Sequence, residues 1–106
     1  PDKQIVAVLG IFSDKDYQSI LKNIVPFTDQ IIITMANNPR ATPTHILARE
    51  AGRYINPDKI IEKTTVDAAI QESLRIAEKD SVICVTGSLY TVGEAKAFFL
   101  KKKNDK

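Results

Sequence analysis

The chain has 106 residues, of which 43% are hydrophobic and 26% charged, a balance typical of a single globular domain. Its net charge of +2 includes four lysines in the last six residues, so the rest is nearly neutral and nucleic acid is not expected as the main partner. No apolar stretch approaches the roughly 18 residues of a membrane-spanning helix, and no leader opens the sequence.

These features predict a soluble, cytoplasmic domain without membrane contact. The single cysteine, Cys84, lies in the apolar run VICV and is expected to be a small buried residue in a reducing compartment. A chain of this size leaves little room for an enclosed active site, so a cleft shared with another domain is more natural. The start at Pro1 without a methionine fits a piece of a longer polypeptide.

Apolar periodicity predicts alternating strands and helices. Nearly continuous β-branched runs at residues 5–9, 30–35 and 81–86 are typical of strands covered on both faces, and residues 59–61 form a weaker strand. The predicted helices are Tyr17–Ile24, Thr44–Ala51 ending at Gly52, 66–78 capped by Thr65, and a last helix from 89 or 91 to 102.

This alternation favours an α/β fold, a Rossmann-like parallel sheet of four to five strands with helices on both faces and right-handed crossovers. We expect residues 1–106 to form one domain, with the strand order 3-2-1-4. Ligands of such sheets bind outside the carboxyl ends of the strands. The polar loops GIFSDKD, TMANNPRATP, EKTT and TGSLYT fall at those ends.

The first of these loops contains Asp14, Lys15 and Asp16. One interpretation is a solvated loop in which an aspartate caps the following helix. The other is a lysine that stays protonated between two carboxylates and faces an anionic group.

The second loop presents Arg40 between Pro39 and Pro43, either as a bidentate clamp for a carboxylate or as a solvated residue beside an Asn37-Asn38 turn. In the last loop, Thr86, Gly87 and Ser88 are compatible with an anion site at a helix amino-terminus or with an ordinary capped turn.

Several kinds of site are not indicated. The single histidine, His45, has no clustered cysteines or carboxylates and is expected at the surface without metal. The loop after the first strand has only Gly10, so it is neither a dinucleotide fingerprint nor a phosphate loop.

Four segments resemble the carboxy-terminal region of folylpolyglutamate and dihydrofolate synthases, which are similar to the muramyl ligases. They are VLGIFSDKDY, IIITMANNPRA, TTVDAAIQESLRIA and VICVTGSLYTVGEAK. Their order and spacing match the family over nearly the whole chain.

The resemblance implies an ATP-dependent amide ligase that adds L-glutamate to folate through an acyl phosphate, in a cleft closed by this domain. ATP and Mg²⁺ would be bound mainly by a central ATPase domain, absent from this chain, so the isolated domain is expected to be inactive. By motif, Lys15, Arg40 and Ser88 would bind carboxylates of the incoming glutamate or phosphate oxygens. Asp14 or Asp16 would orient Lys15 or contact the ribose. No catalytic residue is assigned.

The sequence departs from the family pattern in two places. Asn37 stands where the family usually has aspartate, which predicts weaker orientation of Arg40. The family's upstream strand and D-G-A-H-N-P segment do not precede Pro1.

Two other functions remain open, a receiver-like signalling module and a non-catalytic module that binds small carboxylates. A receiver needs an acceptor aspartate after its third strand and a lysine after its fifth. Here the third strand leads into EKTT and the last into TGS.

Overall fold

The computed structural model describes residues 3–87, with side chains through residue 85. Four parallel strands form one sheet: β1 (Ile5–Gly10), β2 (Gln30–Ile33), β3 (Ile60–Glu62) and β4 (Val82–Gly87). Their order is β3-β2-β1-β4, so the predicted order 3-2-1-4 is confirmed. The α/β fold class is confirmed as well, because three α-helices connect these strands: α1 (Tyr17–Ile24), α2 (Thr44–Ala51) and α3 (Val66–Ile76).

The helices cover both faces of the sheet because successive side chains of a strand point to opposite sides. On one face, Ala7 and Leu9 of β1 pack with Leu21 of α1 and Leu47 of α2. On the other face, Val6 and Val8 pack with Ile70 of α3. The almost continuous apolar runs of β1 and β2 therefore reflect burial on both sides.

The predicted helix boundaries agree closely where local signals define them. Tyr17–Ile24 and Thr44–Ala51 are confirmed, and the Thr65 hydroxyl accepts a hydrogen bond from the Ala68 N–H at 3.1 Å, which confirms the cap of α3. Helix α3 ends at Ile76 instead of residue 78 because Ala77 is extended and the Glu78 N–H bonds to the Gln4 side chain. The last predicted helix, 89 or 91 to 102, lies outside the described residues.

The prediction that Cys84 is buried is wrong, since Cys84 is exposed. Ile83 and Val85 pack on the α3 face, so Cys84 between them faces the opposite side. Helices α1 and α2 pack over β1 and β2 on that side, and Val82, two residues away, is 43% exposed. An apolar run indicates a strand, but it does not show that both faces are covered.

No helix within residues 3–87 has the length and apolar character needed to cross a bilayer.

Candidate functional site

The carboxyl ends of the four strands meet at one edge of the sheet, here called the carboxyl rim and formed by residues 11–16, 34–43 and 63–65. The register aligns Leu9 with Ile33, Ile33 with Glu62, and Gly10 with Gly87. The loops that follow these strands therefore start side by side, as expected for the ligand-binding edge of a parallel sheet.

Backbone hydrogen bonds join the first two rim loops. Phe12 and Ala41 form an isolated antiparallel bridge. The Ser13 N–H donates to the Arg40 carbonyl at 2.8 Å, and the Thr42 N–H donates to the Ile11 carbonyl at 3.0 Å. The loop carrying Arg40 is thus held against the loop carrying Asp14.

Arg40 makes two side-chain contacts across this junction. Its guanidinium carbon lies 4.6 Å from the centroid of the Phe12 ring, within cation–π range. Its Nη1 lies 3.7 Å from Oδ2 of Asp14, and the two side chains are 58% and 52% exposed. The Arg40 N–H also donates to Oδ1 of Asn38 at 2.9 Å. The loop therefore contains the predicted turn at Asn37-Asn38. It also presents the Arg40 guanidinium at the rim, as the alternative interpretation predicted.

The three charged residues after β1 have different surroundings. Asp16 caps α1 by accepting a hydrogen bond from the Ser19 N–H at 3.2 Å. Hydrogen bonds from the Ser19 side chain and backbone lower the pKa of the Asp16 carboxyl below its ordinary value. Asp14 instead faces Arg40. Lys15 is exposed, and within residues 3–87 no carboxylate oxygen lies within 4.0 Å of its ammonium group.

Asp14 and Arg40 are therefore brought together, whereas Asp16 is engaged by the helix. The predicted roles of Lys15, Arg40, Asp14 and Asp16 in binding remain predictions. Ser88 lies outside the described residues, so its role is a prediction too.

His45 is exposed, as predicted. No group of three or more potential metal ligands occurs in the part of the chain that the structure describes.

A cleft of about 690 Å³ lies between the loop after β2 and the start of α3. Its walls are formed by residues 35–39 on one side and by Thr64, Thr65, Val66 and Asp67 on the other. Another cleft, lined by residues such as Lys3, Gln4 and Asp29, lies at the amino ends of the strands, the edge of a parallel sheet away from the usual ligand site.

Two threonines of the rim are buried with unusual hydrogen bonding. Thr34 and Thr42 are 0% and 2% exposed, and neither Oγ1 has a hydrogen-bond partner among the described residues. Buried hydroxyls are normally paired, so both hydroxyls are exceptions within the described residues, and both lie at the carboxyl rim.

Phe12 is the residue at this site that sequence reasoning missed. It is 5% exposed and continues the apolar character of β1, so the pattern indicates only a core residue. Its contact with Arg40 depends on the pairing of two loops, which no local spacing predicts.

Together the fold and the rim define a Rossmann-like α/β domain whose carboxyl edge presents an arginine held between a ring and a carboxylate. The chain belongs to the family described as the glutamate ligase domain of Mur ligases, whose model matches residues 1–89. This membership agrees with the resemblance of the four segments.

Individual relatives agree with this family assignment. The chain is 28% identical over 108 residues to the dihydrofolate synthase/folylpolyglutamate synthase of Mycobacterium tuberculosis, covering 90% of this chain and 22% of that protein. A folylpolyglutamate synthase of the same organism, solved as a complex with ADP, superimposes with a TM-score of 0.83 at 28% identity, over 91% of this chain and 23% of that one.

Escherichia coli FolC, solved in complex with DHPP and ADP, has a TM-score of 0.87 at 19% identity, over 97% of this chain and 23% of that one, which supports the fold. The chain thus spans less than a quarter of the length of each of these three proteins.

Proposed function

We propose that this chain is the carboxy-terminal domain of a folylpolyglutamate synthase, a longer cytoplasmic ATP-dependent ligase that adds L-glutamate to folates. Family membership over residues 1–89 supports a ligase domain. The relative from M. tuberculosis that carries this name supports the folate substrate. The ADP in the related solved structure supports ATP as the energy source.

In the proposed reaction, ATP transfers its terminal phosphoryl group to the terminal carboxylate of the folate, giving an acyl phosphate and ADP. The amine of the incoming glutamate then attacks the acyl carbon, phosphate leaves, and an amide forms. The overall step consumes ATP and produces ADP, phosphate and the lengthened folate.

The described residues do not fit a site for ATP and Mg²⁺ within this chain alone. The strand β1 ends at Gly10 and the loop of residues 11–16 after it contains no glycine, so it lacks the glycine-rich cradle that holds phosphates. No cluster of three potential metal ligands is present in residues 3–87. Both groups are therefore assigned to the central ATPase domain, and no step of phosphoryl transfer is assigned to this chain.

Within this proposal, the chain binds and orients the incoming glutamate and closes over the nucleotide. Arg40 takes a carboxylate because a guanidinium matches a carboxylate in a bidentate geometry. Lys15 and Ser88 contact the remaining carboxylate or phosphate oxygens, and Asp16 fixes the start of α1 beside them. The observation that carries the proposal is the position of Arg40 at the carboxyl rim, joined by backbone bonds to the loop of Asp14 and Lys15.

The test is a titration of the chain with L-glutamate, followed by its backbone amide resonances. Arg40→Gln is expected to weaken binding about tenfold or more, because a hydrogen-bonded charge pair is lost. Arg53→Gln is the matched control: Arg53 also contacts a carboxylate, Glu50, and an aromatic ring, Tyr54, but at the end of α2. Equal affinities of the two variants would contradict the role of Arg40.

A second assay measures the incorporation of labelled glutamate into tetrahydrofolate with ATP present. The isolated chain is expected to give no product, because the nucleotide site lies in another domain. ATP-dependent glutamylation by the chain alone would contradict the proposal. Tight glutamate binding without any ATP dependence would instead favour a free-standing carboxylate-binding module.

A further inference from the structure

The contact between Arg40 and Phe12 uses only one part of the guanidinium. The guanidinium carbon lies over the face of the ring, 4.6 Å from its centroid, a contact of the cation–π type. The group carries five N–H donors, and a cation–π contact does not use them in hydrogen bonds. The ring can therefore support the arginine while its donors remain available to a ligand.

The contact between Arg40 and Asp14 is of a different kind. At 3.7 Å the pair is longer than a charge-assisted hydrogen bond of about 2.7 to 2.9 Å. Both side chains are more than half exposed, and exposed pairs of this type contribute little to stability. Asp14 thus offers Arg40 a carboxylate that a ligand can replace at small cost.

Phe12 and Asp14, the two residues that contact Arg40, are held in place differently. Phe12 is 5% exposed and sits in the bridge with Ala41 that joins the loops. Asp14 lies on the exposed turn that follows, closed by a hydrogen bond from the Lys15 N–H to the Phe12 carbonyl at 3.1 Å. The ring is fixed by the fold, whereas the carboxylate is fixed only by its turn.

We propose that Phe12 is the positioning residue for Arg40 and that Asp14 occupies, in the ligand-free protein, the place that a ligand carboxylate takes. Binding exchanges the Asp14 carboxylate for that of the ligand, while the Phe12 ring keeps the guanidinium at the rim. This inference rests on the proposed function, in which Arg40 binds a carboxylate, and it assigns two further residues to that site.

The two assignments predict effects of opposite sign on carboxylate affinity. Glutarate serves as the probe, because it has two carboxylates and no amine. Phe12→Leu keeps an apolar side chain but removes the ring, and it should weaken glutarate binding about two- to fivefold. Phe12→Tyr keeps the ring and should bind within about twofold of the unchanged chain. Asp14→Asn removes the competing carboxylate and should tighten binding by about two- to fivefold.

Controls separate these effects from general charge and from unfolding. Asp16→Asn removes the same charge two residues away, and asparagine remains a good helix cap, so it should tighten binding less than Asp14→Asn. All titrations are run where urea unfolding shows that each variant is folded. The guanidinium proton resonances of Arg40 provide a second readout, because the ring shifts them in the unchanged chain and in Phe12→Tyr but not in Phe12→Leu.

The outcomes distinguish a failure of the roles proposed for Phe12 and Asp14 from a failure of the proposed function. If Arg40→Gln loses glutarate binding but Phe12→Leu binds as the unchanged chain does, the role of Phe12 is wrong and the proposed function stands. If Asp14→Asn binds no more tightly than Asp16→Asn, the exchange of carboxylates is wrong. If Arg40→Gln binds glutarate as tightly as the unchanged chain does, the role of Arg40 in the proposed function itself fails.

Discussion

Replacing Thr34 by valine is expected to stabilise the protein. Thr34 follows β2 directly, is 0% exposed, and has no hydrogen-bond partner for its Oγ1 within the described residues. A buried hydroxyl without a partner costs about 1 to 3 kcal/mol, and valine has the same shape without that hydroxyl. The backbone bond from the Thr34 N–H to the Leu9 carbonyl, 2.8 Å long, is unaffected by the change.

The free energy of unfolding of Thr34→Val should therefore rise by about 1 to 2 kcal/mol. For a domain of this size, 1 kcal/mol corresponds to a shift of about 4 to 8 °C in Tm. Urea unfolding followed by circular dichroism measures the change, and an unchanged m-value shows that it reflects stability.

Thr65→Val is the matched control with the opposite sign. Thr65 is exposed and caps α3, so the same substitution there should cost about 1 kcal/mol. A loss of stability in Thr34→Val would contradict this prediction. It would indicate that the buried hydroxyl is satisfied by a partner such as an internal water.

Three further predictions concern other parts of the fold. The cap at Asp16 has a carboxyl pKa lowered by Ser19 from the ordinary value of 3.8. Its contribution to stability is present above that value and is lost as the pH falls through the lowered pKa. Urea unfolding midpoints can be measured as the pH is lowered from above 3.8 through the lowered pKa. The midpoint of Asp16→Asn should fall less steeply with decreasing pH than the midpoint of the unchanged chain. Cys84 is exposed and should react with a thiol reagent in the native chain, whereas the need for denaturant would show that it is covered. Leu47→Ala removes a fully buried side chain from the α1–α2 face of the sheet and should lower the free energy of unfolding by about 2 to 5 kcal/mol in urea titrations; a loss below about 1 kcal/mol would contradict its place in the core.

The framework of the sheet was predictable because burial on both faces leaves a direct mark on the sequence. The continuous apolar runs of β1 and β2, the 3.6-residue spacing in α1 and the cap at Thr65 are all local patterns. The strand order 3-2-1-4 is confirmed, but no pattern in the sequence determines it, because right-handed crossovers are compatible with several strand orders. The convergence of the polar loops at one edge then followed from the fold.

Contacts between distant segments were not predictable from such patterns. The burial of Cys84 was predicted wrongly because a strand at the end of the strand order looks the same in sequence as a central one. The Phe12 ring appeared to be an ordinary core residue, since its bridge to Ala41 depends on how two loops meet. The weaker orientation of Arg40 predicted from Asn37 stays a prediction, and the contacts of the Arg40 side chain with Phe12 and Asp14 were not predicted.

The proposed function requires that cationic and hydroxyl side chains from separate crossovers form one half of a glutamate pocket at the carboxyl rim. A crystal structure of the chain soaked with L-glutamate tests it most directly. A glutamate carboxylate is expected against the Arg40 guanidinium, with Lys15 and Ser88 on the same edge of the sheet. Glutamate bound at the opposite edge, near Lys3 and Asp29, or Ser88 directed away from Arg40, would contradict it.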